Sequence, residues 1–217
     1  MILTCRALLF DMDGVLIDST AHVDRVWRRW AQERDVDPET VLAIAHGRRT
    51  VEVLETVAPH LATSQEVALL EARDGQDLAG IGPVPGAASL LEALPSGRCA
   101  VVTSATAPLA RTRFGHAGLP DPEVLVSADD VTQGKPAPDG YLAAAALLGF
   151  EPRDCVVFED APPGITAGNA AGMRVVGVAT TYDGEDLGGA HAVVRDLSNV
   201  SIEVVEDKLR VELTEAL

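Results

Sequence analysis

The chain has 217 residues, of which 47% are apolar, and this length suits either one large domain or a core domain with a smaller insert. Its 33 acidic residues outnumber its 17 basic ones, and the net charge of −16 excludes nucleic acid and anionic membranes as expected partners. Because no apolar stretch approaches the ~20 residues that span a bilayer and no secretory pattern opens the chain, we predict a soluble, cytoplasmic protein.

The first predicted element is a buried strand that ends in acidic residues. The strand covers Thr4–Phe10, and Asp11, Asp13 and Gly14 follow it. Acids two residues apart at a strand end can be aimed at one ligand by a turn at the glycine. In a chain this acidic, the pair alone is more typical of a solvated turn, so its meaning depends on the rest of the sequence.

Residues 18–80 carry only helical patterns. Val23, Val26, Trp27 and Trp30 recur at the spacing of one helix face and predict an amphipathic helix whose two tryptophans lie in an apolar core. Glycines and prolines in residues 80–86 end the segment. The other helices predicted here are Pro38–Ala45, Val51–Val57 and Ser64–Leu78.

From residue 87 onward, helices alternate with strands. This alternation predicts an α/β protein with a doubly wound parallel sheet, whose ligands bind outside the carboxyl ends of the strands. An all-helical insert after the first strand would lie over that edge as a cap. We therefore predict a core of residues 1–17 and 83–217 and a cap of residues 18–82. The predicted helices are Ala87–Leu94, Ala107–His116, Tyr141–Leu148 and Ile165–Ala171, and the strands are Cys99–Thr103, Val124–Val126, Cys155–Phe158, Val175–Val178 and a short Ala192–Val194.

Polar residues that suit phosphoryl transfer follow these strands. One strand ends in Thr103 and Ser104, another in Glu159 and Asp160, and Lys135 lies in a Gly-Lys-Pro loop between them. Taken singly, these residues are equally consistent with helix starts, a turn cap and an ordinary loop. Together with the first acids they provide a nucleophile, hydroxyl donors, metal ligands and a cation at one predicted edge. Lys135 is one of only two lysines among the 17 basic residues, which favours a need for a compact ammonium group.

This set of motifs resembles the haloacid dehalogenase-like phosphohydrolases with an α-helical cap. The resemblance covers essentially the whole chain, with a Rossmann-like core and an inserted all-α cap domain. It is nearest to the sugar and polyol phosphatases. The residues that carry it are Asp11-Met12-Asp13-Gly14, Ser19, His46-Gly47-Arg48-Arg49-Thr50, Val84-Pro85-Gly86-Ala87, Thr103, Gly134-Lys135-Pro136 and Phe158-Glu159-Asp160-Ala161-Pro162-Pro163-Gly164-Ile165.

The resemblance implies a two-step reaction. Asp11 would attack the phosphorus of a phosphomonoester to form an aspartyl-phosphate. Asp13 would protonate the departing alkoxide and then accept a proton from the hydrolytic water. Lys135, Thr103 and the backbone around Ser104 would surround the phosphoryl oxygens.

The resemblance also implies a Mg²⁺ ion. Its expected ligands are Asp11, the backbone carbonyl of Asp13, Glu159 and Asp160, which are the oxygen donors that Mg²⁺ prefers. The ion and Lys135 together would let a strongly acidic protein bind a phosphate.

Specificity is expected to come from the cap, because the core contacts only the phosphoryl group. His46, Arg48 and Arg49 lie in a glycine-containing bend and are candidate substrate contacts; ordinary surface residues in a solvated loop are the alternative. Asp18 and Ser19 could face the leaving group or simply cap the first helix.

Three functions stay open at this stage. The leading one is a Mg²⁺-dependent phosphatase of small sugar or polyol phosphates, including glycerol phosphate, that acts as a monomer. A beta-phosphoglucomutase is less favoured, because related mutases carry a histidine at the position of Val23. A receiver-like signalling domain is disfavoured by the helical insert, since receivers need an open face, and by the presence of Asp13 as a possible base.

Overall fold

The computed structural model describes residues 1–214 and is built around a six-stranded parallel sheet. The strand order is β6-β5-β2-β7-β8-β9, and every neighbouring pair is parallel. This arrangement confirms the predicted α/β fold. The six strands are β2 (Ala7–Phe10), β5 (Cys99–Val102), β6 (Leu125–Val126), β7 (Cys155–Glu159), β8 (Arg174–Val178) and β9 (Ala192–Val194).

Strand β2 lies inside the sheet because both of its faces are apolar. Leu8 and Phe10 belong to one hydrophobic cluster, whereas Ala7 and Leu9 belong to another on the opposite face. All four side chains are fully buried. Such a strand can lie only between two helical layers, as parallel sheets require.

Helices cover the two faces of the sheet. On the side of Leu8, α5 (Ala87–Ala93) and α6 (Ala107–Ala117) contribute buried residues; on the other side, α7 (Asp139–Leu148) and α8 (Pro162–Ala170) do so. The crossovers therefore wind the chain in two layers about the sheet, as the alternation of elements predicted.

The predicted strand Thr4–Phe10 is wrong in its extent. The extended segment is interrupted at Arg6. As a result, β1 (Ile2–Cys5) lies outside the main sheet and pairs antiparallel with β11 (Lys208–Leu213). Arg6 cannot continue the apolar run, and this one polar residue separates the two strands.

The tail after Val200, which gave no clear pattern in the sequence, forms a hairpin. Strands β10 (Val200–Val205) and β11 pair antiparallel and complete a three-stranded sheet in the order β1-β11-β10. Leu209, Val211 and Leu213 alternate with more exposed residues in β11, which is a period-two pattern typical of a half-buried strand.

The segment between β2 and α5 is helical and has its own apolar cluster. Trp27 and Trp30 are 7% and 0% exposed and pack edge to face in this cluster, which confirms their predicted place in a core. The helices are α1 (Thr20–Glu33), α2 (Pro38–Ala45), α3 (Thr50–Val57) and α4 (Ser64–Asp74).

Two short strands connect this segment to the sheet. β3 (Ile17–Asp18) and β4 (Gly82–Pro83) pair antiparallel, so the chain enters and leaves the helical segment side by side. The predicted cap, residues 18–82, starts and ends at these strands, and its status as a separate domain stays a prediction. Helix α4 ends at Asp74 rather than near Leu78 as predicted, and this end brings Asp74 to the candidate site.

Within residues 1–214, no helix has the length and apolar character needed to cross a membrane.

Candidate functional site

The sheet delivers the predicted motif residues to one edge. Asp11 follows β2, Thr103 follows β5, and Glu159 is the last residue of β7. Because neighbouring parallel strands end at the same edge, these residues meet although they are far apart in sequence. Strand β7 pairs with β2 in a register that sets Phe10 opposite Phe158, and therefore Asp11 next to Glu159.

Lys135 lies at the centre of this edge. Its Nζ is 2.5 Å from Asp11 Oδ1 and 2.6 Å from Glu159 Oε1, and it also donates to the carbonyl oxygen of Val102 at 3.3 Å. The side chain is almost fully buried. A buried ammonium group with two carboxylate partners is fixed in position and supplies a positive charge where a phosphate could bind.

Tyr141 fixes the carboxylate that holds the lysine. Its hydroxyl donates to Glu159 Oε1 at 2.6 Å, while the backbone amides of Asp160 and Ala161 donate to Glu159 Oε2. Gly164 lies so near that a Cβ atom there would collide with the Glu159 carboxyl group. The sequence indicated Tyr141 only as the start of a helix, so this contact was missed.

Three acidic side chains form a candidate metal centre. Asp11, Glu159 and Asp160 each offer an oxygen within 4.8 Å of the others, and all three are buried. Among the residues that the structure describes, no group donates to Asp160 Oδ1. A buried, unpartnered oxygen beside two other carboxylates fits a hard cation such as Mg²⁺.

The charges in this cluster are unbalanced. Burial raises the pKa of Asp11 to about 7, because Lys135 only partly offsets the lost hydration and Glu159 adds negative charge. Burial and the neighbouring Asp11 and Glu159 likewise raise the pKa of Asp160 well above its usual range. A bound cation would counter these shifts by favouring the ionised carboxylates.

Gly14 explains how Asp160 comes so close to the first motif. Its φ of +78° suits glycine, and a Cβ atom at this position would collide with the Asp160 carboxyl group. The turn after Asp13 therefore packs directly against the candidate metal centre.

Asp13 has a different environment from Asp11. The Ser19 hydroxyl donates to its Oδ1 at 2.6 Å, and Arg113 Nη1 lies 2.5 Å from its Oδ2. Arg113 Nη2 in turn donates to both carboxylate oxygens of Asp74 at 2.6 Å. His22 Nε2 lies 2.8 Å from Asp74 Oδ1. The guanidinium would therefore keep an ionic partner even if Asp13 were neutral.

This pattern of strand-end acids, buried lysine and acidic cluster matches a known family. Residues 5–172 match the haloacid dehalogenase-like hydrolases. The chain belongs to this family.

The similar proteins of this hydrolase family include phosphatases and a mutase. Hexitol phosphatase A of Escherichia coli (strain K12) is 40% identical over 203 residues, which cover 91% of this chain and 94% of the relative. Glycerol-1-phosphate phosphohydrolase 2 of Saccharomyces cerevisiae is 39% identical over 196 residues, with coverage of 83% and 77%. Beta-phosphoglucomutase of Bacillus subtilis is 31% identical over 220 residues, with coverage of 94% and 95%.

A cavity of this hydrolase joins the two carboxylates to the helical segment. Asp11 and Asp13 line it together, so both predicted catalytic acids face the same space. The helical segment forms the opposite wall, and a substrate bound here would touch both parts of the chain. Besides these acids, the lining includes Thr103, Ser104, Leu109 and Arg113 from the core and Val23, Trp27, His46, Arg48 and Asp74 from the helical segment.

Thr103 and Ser104 differ in their contacts. The Thr103 hydroxyl accepts a hydrogen bond from the backbone amide of Ala105 at 3.1 Å, which leaves its own proton available to a ligand. The Ser104 hydroxyl donates to the carbonyl oxygen of Gly47 at 2.9 Å. Ser104 thus links the sheet edge to the helical segment of the hydrolase.

The predicted cap residues divide into two groups. His46 and Arg48 line the cavity, and His46 is held by Asp24, whose Oδ1 is 2.9 Å from its Nε2. Ser19 is buried and contacts Asp13, whereas Asp18 is exposed and lies outside the cavity lining.

Arg49 also lies outside this cavity. It binds the Glu52 carboxylate through Nε at 2.8 Å and donates to the carbonyl oxygens of Val131 and Thr132 at 3.3 and 3.1 Å. Glu52 also accepts from the backbone amide of Gly134 at 3.2 Å. The pair therefore joins the helical segment to the loop that carries Lys135. The predicted contact between Arg49 and substrate stays a prediction.

Arg113, Asp74 and His22 are site residues that sequence reasoning missed. Arg113 lies inside a helix pattern, and Asp74 lies in a helix that was predicted to continue past it. Neither residue belongs to a strand-end motif, so no sequence signal indicated their pairing.

Proposed function

We propose that this hydrolase is a Mg²⁺-dependent phosphatase of small sugar or polyol phosphates, glycerol phosphate among them. The observation that carries the proposal is the buried Lys135, which lies between Asp11 and Glu159, together with a cavity that Asp11 and Asp13 both line. This arrangement provides a nucleophile, a positive charge fixed beside it and a second carboxyl group for proton transfer.

Asp11 and Asp160 are the proposed carboxylate ligands of the ion, with the backbone carbonyl of Asp13 as a further donor. Glu159 belongs to the same acidic cluster, but both of its oxygens already have hydrogen-bond partners, which favours a role in holding Lys135. When bound, Mg²⁺ would offset negative charge on the carboxylates and on the phosphoryl oxygens.

The proposed chemistry uses the two aspartates in sequence. An oxygen of Asp11 forms a bond to phosphorus while the bond from phosphorus to the leaving-group oxygen breaks, and Asp13 gives its proton to that oxygen. Asp13 then accepts a proton from the water that hydrolyses the aspartyl-phosphate. Lys135, Thr103 and the backbone near Ser104 would contact the phosphoryl oxygens and offset their charge during both steps.

The leaving group would lie against the helical segment. Arg48 and His46 offer charged or hydrogen-bonding groups to hydroxyls, and Trp27 offers an apolar surface in the same wall. The names of the similar phosphatases support hexitol or glycerol phosphates as the substrate class. Arg49 would act at the contact with the Lys135 loop, and Asp18 at the entrance to the cap.

A phosphomutase is the second candidate, supported by the similar beta-phosphoglucomutase. Val23 lines the cavity at the position where related mutases carry a histidine, and an alkyl side chain cannot donate a hydrogen bond there. The neighbouring His22 is buried against Asp74. We therefore favour water over a sugar hydroxyl as the acceptor of the phosphoryl group. The covering helices disfavour a receiver domain.

The test is release of inorganic phosphate from a panel of hexitol, hexose and glycerol phosphates, with and without Mg²⁺. Catalytic release that requires the metal is the expected result. Conversion of beta-glucose 1-phosphate to glucose 6-phosphate without release would instead identify a mutase, and a stable label on Asp11 from acetyl phosphate without turnover would identify a receiver. We propose a cytoplasmic monomer, which sedimentation of the purified protein and cell fractionation would check.

A further inference from the structure

Arg113 is a buried cation that contacts the proposed acid and base. Its side chain is 3% exposed and comes from α6, a helix that packs on the sheet and carries no family motif. Nη1 pairs with Asp13, and Nη2 pairs with Asp74. Burying a guanidinium costs free energy of hydration unless well-placed partners compensate for it. The two carboxylates at 2.5–2.6 Å provide this compensation for Arg113.

The contacts of Asp13 fix both of its oxygens. Ser19 binds one oxygen from the entrance to the helical segment, and Arg113 binds the other from α6. The carboxyl group is still 28% exposed, and it faces the cavity that Asp11 also lines. Without such contacts, an aspartate on a loop would rotate among several orientations, and only some of these would point at a leaving-group oxygen.

Asp74 binds the guanidinium from the helical segment, and His22 in turn contacts Asp74. Asp74 gives Arg113 both carboxylate oxygens, and the buried His22 contacts one of them. Burial opposes charge on Asp74, but the hydrogen bonds and charges of His22 and Arg113 outweigh it and lower its pKa. Asp74 therefore fixes the guanidinium as a carboxylate on the helical segment.

We propose that Arg113 is a positioning residue for Asp13, with Asp74 as its support. The inference rests on the proposed function, in which the bond between phosphorus and the leaving oxygen breaks as the proton of Asp13 passes to that oxygen. Arg113 keeps the Asp13 carboxyl group directed at that oxygen and does not itself contact the phosphoryl group.

Three substrates separate positioning from other roles of Arg113. Glycerol 1-phosphate and n-propyl phosphate both release poorly acidic alcohols, but only the first carries hydroxyls that the protein could recognise. p-Nitrophenyl phosphate releases a much more acidic alcohol, which departs without a proton from Asp13. The quantity to compare is kcat/KM, because it covers only the steps up to formation of the aspartyl-phosphate.

For Arg113→Gln we expect kcat/KM to fall about 10- to 100-fold on both alkyl phosphates, as partial loss of general acid catalysis predicts, and to change less than about threefold on p-nitrophenyl phosphate. Arg113→Lys keeps the charge but cannot span two carboxylates, and Asp74→Asn removes the support, so both should show the same selectivity with smaller losses. Arg111→Gln is the matched control on the same helix, since Arg111 is exposed and pairs with the exposed Asp121.

Equal losses of kcat/KM on all three substrates would show that Arg113 only maintains the fold. A loss confined to glycerol 1-phosphate would show that Arg113 recognises the substrate hydroxyls. Either result overturns the inference, and so does a variant with unchanged kcat/KM. Circular dichroism and melting temperatures verify the fold and the stability of each variant. If Arg113→Gln does not fold, Arg113→Lys and Asp74→Asn decide the question. Asp13→Asn must show selective loss on the alkyl phosphates, and the wild type must hydrolyse them; otherwise it is the proposed function that fails.

Discussion

The two carboxylates of the first motif lie in regions that are built differently. Asp11 belongs to a cluster with Glu159 and Asp160, in which Lys135 pairs with Asp11 and Glu159. Asp13 belongs to a second cluster, formed with Asp74, Arg113 and His22, in which the guanidinium pairs with both acids. The first region has three acids beside one lysine, whereas the second has two acids that both pair with one arginine.

The difference appears in the pKa values. Burial raises the pKa of Asp11 to about 7 and that of Asp160 well above its usual range, but the pKa of Asp74 is lowered by its partners. A bound cation would therefore favour the ionised carboxylates of the first region, whereas the carboxylate of Asp74 already has its partners within the protein. Variants that remove a charge should therefore lower activity in both regions. Removal of a carboxylate from the first region should raise the stability of the metal-free protein, whereas removal of a charge from the second should lower it.

The largest expected effect is that of Asp11→Asn. An amide cannot form the aspartyl-phosphate, so phosphate release should fall by at least about four orders of magnitude. The measurement is a phosphate assay on the best substrate of the panel, with circular dichroism to verify the fold. Asp121→Asn, at an exposed site, is the matched control. Near-normal turnover by Asp11→Asn would falsify its assignment as nucleophile.

A smaller loss of activity, with a gain of stability, is expected for Asp160→Asn. Without the carboxylate, Mg²⁺ should bind weakly and turnover should fall about 100- to 1,000-fold. The metal-free protein should become more stable by roughly 1 kcal/mol, because burying the Asp160 carboxyl group beside two other acids costs free energy whether the group stays ionised or takes up a proton. Thermal melts with EDTA and with Mg²⁺ check both effects. Mg²⁺ should raise the melting temperature of the wild type far more than that of the variant, and equal shifts would remove Asp160 from the metal site.

Tyr141→Phe should have a moderate effect in the same region. It removes the hydrogen bond to Glu159 and leaves a buried carboxylate oxygen with one partner fewer, at a cost of about 1–2 kcal/mol in the free energy of unfolding. Because Lys135 is then held less firmly, we expect kcat to fall about 3- to 10-fold. Urea unfolding and steady-state kinetics provide the two measurements. An unchanged kcat would mean that the Lys135 position does not depend on Tyr141.

The smallest effects concern pH. In metal-free protein the folded pKa of Asp11, about 7, lies above the unfolded value near 3.9, so the folded state binds more protons. This group therefore adds stability as the pH falls from about 7 to about 4. Asp74 has a lowered folded pKa, so its contribution is present above about 4 and is lost as the pH falls further.

Urea midpoints measured from pH 4 to 8 would show both trends. Asp11→Asn should reduce the first trend, to which the raised pKa of Asp160 also contributes, and Asp74→Asn should remove the second. Added Mg²⁺ should suppress the trend from Asp11 and leave that from Asp74. A trend from Asp11 that persists at saturating Mg²⁺ would mean that the ion does not bind beside this carboxylate.

Sequence prediction succeeded where a local pattern had one structural solution. Apolar runs alternating with helical periods gave the parallel sheet, and Trp27 and Trp30 were correctly placed in a core. It failed where one polar residue decided the outcome, as at Arg6, which divides the predicted first strand between two sheets. It also missed the C-terminal hairpin, because β11 has no apolar run longer than one residue.

By itself, the sequence determined that Asp11, Thr103, Glu159 and Asp160 would end parallel strands and that Lys135 would lie in a loop near them. Because parallel strands end at a common edge of the sheet, the order of the strands along the chain is enough to predict that these residues lie close together. Tertiary structure alone decided the partners of Asp13. Arg113 and Asp74 lie on helices whose relative placement depends on how their side chains pack, and no spacing in the sequence encodes a contact between them.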